Sequence, residues 1–272
     1  MQNLNGRTLF ITGASRGIGL AIALRAARDG ANIAIAAKSA EPHSKLPGTI
    51  YTAAEAIERA GGHALPLRVD VRDAAQVEAA VQETIERFGT IDCLINNASA
   101  ISLTGTLATP ISRFDLMMSV NVRGTYLCSK ACLPHLMRAN NPHILTLCPP
   151  LNLSPKWFKN HCAYTISKYG MSMCVLGMAE EFRDRKVAVN GLWPRTLIAT
   201  AALNVIPEAD ASRARREDIM ADSAWHILTS ASDDCTGNLF IDEEVLARAG
   251  VTDFDQYDVV KGVTPIKDLF VE

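Results

Sequence analysis

A glycine-rich turn held between a strand and a helix limits what this chain can fold into more than any other feature. Thr8-Leu9-Phe10-Ile11 is a short apolar run that ends in Thr12-Gly13-Ala14-Ser15-Arg16-Gly17-Ile18-Gly19. Leu20, Ile22, Ala23, Leu24 and Ala27 continue with helical character until Asp29-Gly30, and Ala31-Asn32-Ile33-Ala34-Ile35-Ala36-Ala37 reads as a buried strand. Strand, glycine turn, helix and strand form the βαβ unit that cradles a dinucleotide. Glycines let the backbone approach a pyrophosphate, and the helix N-terminus adds amide donors and a positive dipole end. A bare three-glycine turn also serves close packing; its setting between strand and helix carries the nucleotide reading.

The end of the second strand selects among dinucleotides. Units that bind NAD usually carry an acid there for the ribose hydroxyls. This chain has Ala36-Ala37-Lys38, with Arg16 nearby in the glycine turn. Two cations and no carboxylate suit a ribose 2′-phosphate, so NADP(H) is favoured over NAD(H).

The remaining elements extend an alternating α/β pattern. A polar excursion at 41–48 precedes a helix at about 50–60; Ala64 to Val69 is a third strand, followed by Asp70-Val71. Asp70 can accept from an adenine amino group or cap the following helix, for which Asp73 is also placed. Residues 74–88 carry an amphipathic stripe, and Ile91 to Ile95 is a fourth strand ending in Asn96-Asn97-Ala98-Ser99 at the ligand-bearing edge. A long helix is expected over 112–138, with Asn121 in its middle, where Asn has no propensity reason to be. His143 to Cys148 is a fifth strand stopped by Pro149-Pro150, and Val187 to Trp193 a sixth stopped by Pro194. Residues 195–210 fall where a lid is expected, 214–230 read as helix, Gly237 to Ile241 as a seventh strand, and the tail from Asp242 shows no clear period. The expected fold is a single-domain α/β Rossmann fold: a doubly wound parallel sheet of about seven strands flanked by helices. One domain covers 1–272, with a core to about 242 and a C-terminal extension over 243–272.

A net charge of −2 gives no reason to expect nucleic acid or a membrane surface as partner. The seven cysteines are scattered without a Cys-x-x-Cys, which argues for free thiols in a reducing compartment and against a metal site. The opening residues hold no signal-peptide core, and no apolar run approaches the ~18 residues of a membrane span. Cytoplasm is the default location.

On a helix, Tyr164 and Lys168 of Tyr164-Thr165-Ile166-Ser167-Lys168 sit at i and i+4 and share a face. A phenol ionises near ~10, and a nearby ammonium favours the phenolate, so the pair has the makings of a general acid/base. The same spacing is common on amphipathic helices with a half-buried Tyr and a solvated Lys. The loop 151–160 before it carries Trp157-Phe158, which either line a substrate mouth or pack.

Together these residues resemble the short-chain dehydrogenase/reductase family. The likeness rests on Thr12-Gly13-x-x-x-Gly17-Ile18-Gly19, Asp70, Asn96-Asn97-Ala98, Asn121 and Tyr164-x-x-x-Lys168, in the family's order. More narrowly the chain is similar to the hydroxysteroid dehydrogenase-like protein 2 subfamily, through Ile11 to Gly19, Asn97 to Leu103, Pro149 to Leu153 and His161 to Ile166. Animal members carry an added sterol-carrier domain; the chain stops before one, so lipid carriage is not expected of it. The resemblance implies an NADP(H)-dependent oxidoreductase acting on a carbonyl or secondary alcohol. Tyr164 would exchange the proton. Lys168 would lower the Tyr164 pKa and hold the nicotinamide ribose, and Asn121 would steady a relay water. Gly13, Ser15, Arg16, Gly17, Ile18, Gly19, Lys38, Asp70 and Asn97 would join Tyr164 and Lys168 in holding the cofactor. A homodimer or homotetramer pairing helices 112–138 and 161–183 is implied as well.

Two positions depart from the family. A serine usually lies about thirteen residues before the tyrosine and holds the substrate oxygen; here that position is Leu151, and the strand end offers Cys148. A thiol is a weak donor, so Ser154, or more remotely Ser99, is the candidate replacement. Pro194-Arg195 stands where Pro-Gly is common, putting a cation beside the site or out in solvent. The missing serine motivates the alternative of a catalytically weak NADP(H)-binding regulator or a lipid-binding protein.

Overall fold

A computed structural model describes residues 3–43, 46–206 and 209–272. The strands are β1 (Thr8–Thr12), β2 (Asn32–Ala37), β3 (His63–Arg68), β4 (Cys93–Asn96), β5 (His143–Thr146), β6 (Ala188–Trp193) and β7 (Leu239–Ile241). They form one seven-stranded sheet in the order β3-β2-β1-β4-β5-β6-β7, every pair parallel. The order reverses at β1, which pairs with β2 on one side and β4 on the other, so a crevice opens beyond their carboxyl ends.

Side-chain alternation on β1 shows how the sheet is covered. Leu9 and Ile11 face one apolar cluster, built with α1 (Gly17–Ala27), α2 (Ile50–Arg59), α7 (Asp218–Thr229) and α8 (Asp242–Arg248). Phe10 faces the other, built with α3 (Ala74–Phe88), α5 (Gly124–Leu136) and α6 (Cys162–Glu181). Both faces of the sheet are thus buried, which matches the near-continuous apolar strands.

The structure departs from the sequence reading in three places. The helix expected over 112–138 is α4 (Ile111–Met117) and α5 with a π-helical segment, Met118–Arg123, between them. Asn121 lies inside that segment, and its side chain is the physical reason, as described below. The fifth strand stops at Thr146, two residues short, because Leu147 and Cys148 already turn toward Pro149. The tail without a period begins with the short helix α8 and then runs irregularly back over the sheet's carboxyl edge. Among the described residues no helix is long and apolar enough to cross a membrane.

Gly191 in β6 is a packing requirement. A Cβ placed there would lie 2.7 Å from Cys148 Sγ and 2.8 Å from Leu239 Cδ2. We expect Gly191→Ala to cost about 1–3 kcal/mol, seen as a lower urea midpoint at unchanged m-value; an unchanged midpoint would show that the β5–β6–β7 contact has slack.

Candidate active site

The carboxyl ends of β1 and β4 are tied together by side chains. Thr12 Oγ1 accepts from the amides of Asn97 and Ala98, both at 3.0 Å, and donates to Ile95 O. Asn97 Nδ2 donates to Thr12 O (2.9 Å) and Gly13 O (3.2 Å). Gly13 and Gly17 have φ of +70° and +57°, conformations open to glycine at little cost. Gly19 answers a different need: a Cβ there would meet Asn97 Nδ2 at 2.5 Å. No side chain caps the start of α1 among the described residues, so its first amides face the crevice without a protein acceptor. A cavity of about 720 Å³ opens there. Gly13, Ser15, Arg16, Gly17, Ile18, Lys38, Asp70, Asn97, Tyr164 and Lys168 all border it; Gly19 stands behind the turn.

At the end of the cavity beside β2 and β3 the charges are already paired. Lys38 Nζ lies 3.1 Å from Asp70 Oδ2, and Arg72 grips the same carboxylate through its Nε and Nη2. The Arg72 hydrogen bond, and after it Lys38, hold the Asp70 carboxyl well below the usual carboxylate range. Asp73, not Asp70, caps α3 through Gln76 N. Arg16 Nε donates to Pro47 O, and its Nη2 to Ser39 Oγ and Gly48 O. This cluster of Arg16, Ser39 and Lys38 borders the cavity where β2 ends.

At the other end, Tyr164 and Lys168 project from α6 and are both buried. Lys168 Nζ donates to Leu147 O at 2.6 Å and lies 5.0 Å from the Trp193 ring centroid. Burial lowers its pKa to about 8, against the opposing pull of Cys148 and Asp268. Burial, and then the nearby Asp268, raise the Tyr164 phenol above its ordinary value, so it keeps its proton. Asn121 does not border the cavity. Its Oδ1 accepts from Ala100 N (2.7 Å) while its Nδ2 donates to Ala100 O and Ser167 Oγ, both at 2.9 Å. It thereby joins the loop after β4 to α6, and the π-helical turn aims it there.

Of the groups weighed for the missing serine's role, Cys148 and Ser154 do not border the cavity. Cys148 Sγ fills the space left by Gly191, and burial pushes its thiol up to about 11. Ser154 lies in the loop before α6, its amide donating to Asn152 Oδ1. Ser99 does border the cavity. Trp157 and Phe158 pack, the first against Phe270 and the second against Tyr169. Arg195 turns away to Glu243 (3.0 Å) and Glu244 (2.6 Å). Residues 197–203 and Ile206 cover the glycine turn; Pro207 and Glu208, within the expected lid, lie outside the described residues.

The contribution of the tail had no sequence signal. Asp268 and Leu269 border the cavity beside Tyr164 and Lys168. Phe270 sits among the rings of Trp157, His161, Tyr164, Tyr169 and Trp193, with centroids 5.3–6.3 Å away.

Known proteins place this geometry in context. The short chain dehydrogenase family model matches residues 7–210. Hydroxysteroid dehydrogenase-like protein 2 of Danio rerio is 59% identical over 270 residues, 99% of this chain and 65% of the relative. The Homo sapiens protein of that name is 59% identical over 271 residues, 99% of this chain and 64% of its own length. The chain therefore spans less than two thirds of these curated relatives. A crystal structure from Xanthomonas campestris, described as a dehydrogenase, has a TM-score of 0.98 at 58% identity and covers 99% of both chains. A metagenomic short-chain oxidoreductase in complex with NADP has a TM-score of 0.72 at 26% identity, covering 88% of this chain and 97% of its own. Matched along three quarters of its length by the family model and nearly end to end by these relatives, the chain belongs to the short-chain dehydrogenase/reductase family.

Proposed function

We propose that the chain is an NADP(H)-dependent oxidoreductase that interconverts a carbonyl and a secondary alcohol, with Tyr164 as the proton-exchanging group. One observation carries this reading: Tyr164 and Lys168 border the same cavity as the glycine turn and the uncapped start of α1. The left-handed Gly13 and Gly17 and the space beside Gly19 fit a pyrophosphate backbone. Arg16, Ser39 and Lys38 supply donors for a 2′-phosphate where an NAD enzyme would present an acid, and the NADP complex of the metagenomic relative is consistent with that choice. When bound, the nicotinamide supplies or accepts the hydride.

The rest is the work of the protein. Tyr164, held neutral by burial, donates to a carbonyl oxygen during reduction. Lys168, fixed by Leu147 O, presents its charge to the phenolate that remains. Asn121 keeps the loop after β4 and the catalytic helix in register, and the π-helical turn is our candidate for the relay to solvent. Exposed Tyr126 on α5 and Ile166, Met173 and Leu176 on α6 support a homo-oligomer through these helices.

Three outcomes test the reading. On a carbonyl panel, wild type consumes NADPH, and Tyr164→Phe loses at least about 10²-fold in kcat/KM; equal rates would remove Tyr164 from its role, and NADPH binding without turnover would favour the binding-protein alternative. Lys38→Ala with Arg16→Ala raises the KM for NADPH more than for NADH, whereas equal effects would show that neither cation reads a phosphate. Lys168 is charged below its pKa of about 8 and neutral above it. The kcat/KM for reduction should therefore carry an alkaline fall centred near that pH, absent from Lys168→Met.

A further inference from the structure

The end of β5 leaves the substrate oxygen without a hydroxyl partner, and the C-terminal tail brings an acid to the same place. Leu197 N donates to Ile266 O, Thr196 bridges Lys267, and Asp268 N donates to Arg195 O at 3.0 Å. Trp193 Nε1 donates to Leu269 O at 2.8 Å. Four successive residues are thus pinned along the segment that leaves β6. Phe270, at φ +71°, then turns inward and anchors the strap among five aromatic rings. A left-handed Phe is uncommon; here it buries the ring behind Tyr164 while Asp268 borders the cavity on the substrate side.

We infer that the Asp268 carboxyl holds the substrate oxygen in this active site, as a second hydrogen-bond donor beside the Tyr164 phenol. The inference rests on the oxidoreductase reading above. Asp268 is not consumed by the protein: one oxygen accepts from Leu269 N at 2.6 Å, and among the described residues it forms no ion pair. The titratable groups that face it are Tyr164 and Lys168 from α6 and Asp242 from the start of α8, while the Arg195 guanidinium turns off to Glu243 and Glu244. Burial pushes its carboxyl up to about 7, reinforced by Asp242 and opposed by Leu269 N and Lys168. A carboxyl with a pKa of about 7 is protonated in about half of the molecules at neutral pH and in more of them below it, and the protonated form can donate, which a carboxylate cannot. In reduction the carbonyl oxygen accepts from both Tyr164 and Asp268. The carbon gains the hydride, the oxygen gains the Tyr164 proton, and Asp268 keeps its own. Tyr164 is left as phenolate beside Lys168 and recovers a proton from solvent.

The test uses the full chain with NADPH, comparing wild type, Asp268→Ala and Asp268→Asn, with thermal melting and NADPH fluorescence as folding and binding controls. Asp268→Ala should lose about 10²–10³-fold in kcat/KM. Asp268→Asn keeps a donor at every pH and should stay within about tenfold of wild type. Wild type should show an added alkaline limb near the Asp268 value of about 7, below the Lys168 limb near about 8, and Asp268→Asn should keep only the limb near about 8. An independent readout is the ¹³C carboxyl resonance that Asp268→Asn removes; in the nucleotide-free protein it should titrate near neutral pH, and titration near ~4 overturns the assignment. So does an active wild type with an unaffected Asp268→Ala, or an Asp268→Asn as impaired as Asp268→Ala with binding intact. A wild type inactive across the panel removes the oxidoreductase reading and this assignment together. If Asp268→Ala does not fold, Asp268→Asn and the carboxyl titration decide.

Discussion

The hydrogen bonds that Thr12 and Asn97 exchange across the carboxyl ends of β1 and β4 are the constraint on which the site depends. Where the sheet order reverses, the chain leaves neighbouring strands toward opposite faces, and the crevice there would be loose without a tie. One hydroxyl and one amide supply five bonds between the two ends. The tie sets the height of the glycine turn above the sheet. It also explains why Gly19 is small: the Asn97 amide occupies the place of a side chain there. The turn is thus specified twice, by its own backbone freedom and by a polar group just past the end of β4, about eighty residues away.

At the substrate end, burial acts in opposite senses on neighbouring groups. It favours the neutral form of each, bringing Lys168 down to about 8 and Asp268 up to about 7. Their mutual attraction opposes both changes without cancelling them. The result is a base and an acid poised within about a unit of neutral pH, around a phenol that stays protonated. At the end of the cavity beside β2 and β3 the balance differs. Asp70 is mostly buried and gripped by Arg72 and Lys38, so it stays ionised, and on the NADP(H) reading that we propose Lys38 would exchange this carboxylate for a phosphate. A dianionic phosphate competes well for that cation.

Much of this was legible in the residues. The glycine turn, the buried strands and the Tyr164–Lys168 pair declare themselves because period, turn chemistry and i,i+4 geometry are local. Asn121 announced a local conflict, since its propensity argues against mid-helix, but nothing local could say that the helix would take a π-turn to reach Ala100 and Ser167. The pairing of Lys38 with Asp70 was hidden for a related reason: it depends on β2 and β3 lying side by side. The tail was invisible altogether. Ile266-Lys267-Asp268-Leu269-Phe270 has no period, and its meaning comes from contacts with residues about 70–110 positions earlier.

The same long-range packing explains why the end of β5 carries no useful hydroxyl. Leu147 and Cys148 turn early, the first giving its carbonyl to Lys168 and the second sinking its thiol against Gly191. A serine side chain at Cys148 would enter the slot beside Gly191 and Ser172, away from the cavity. With this wall of the site given over to packing, our inference assigns the polar group to another element. The strap qualifies because Phe270 makes it part of the core, so Asp268 is held as firmly as a residue on a strand. Rigid placement matters more to such a group than its chemical identity, because a donor that wanders by an ångström loses most of its effect on developing charge.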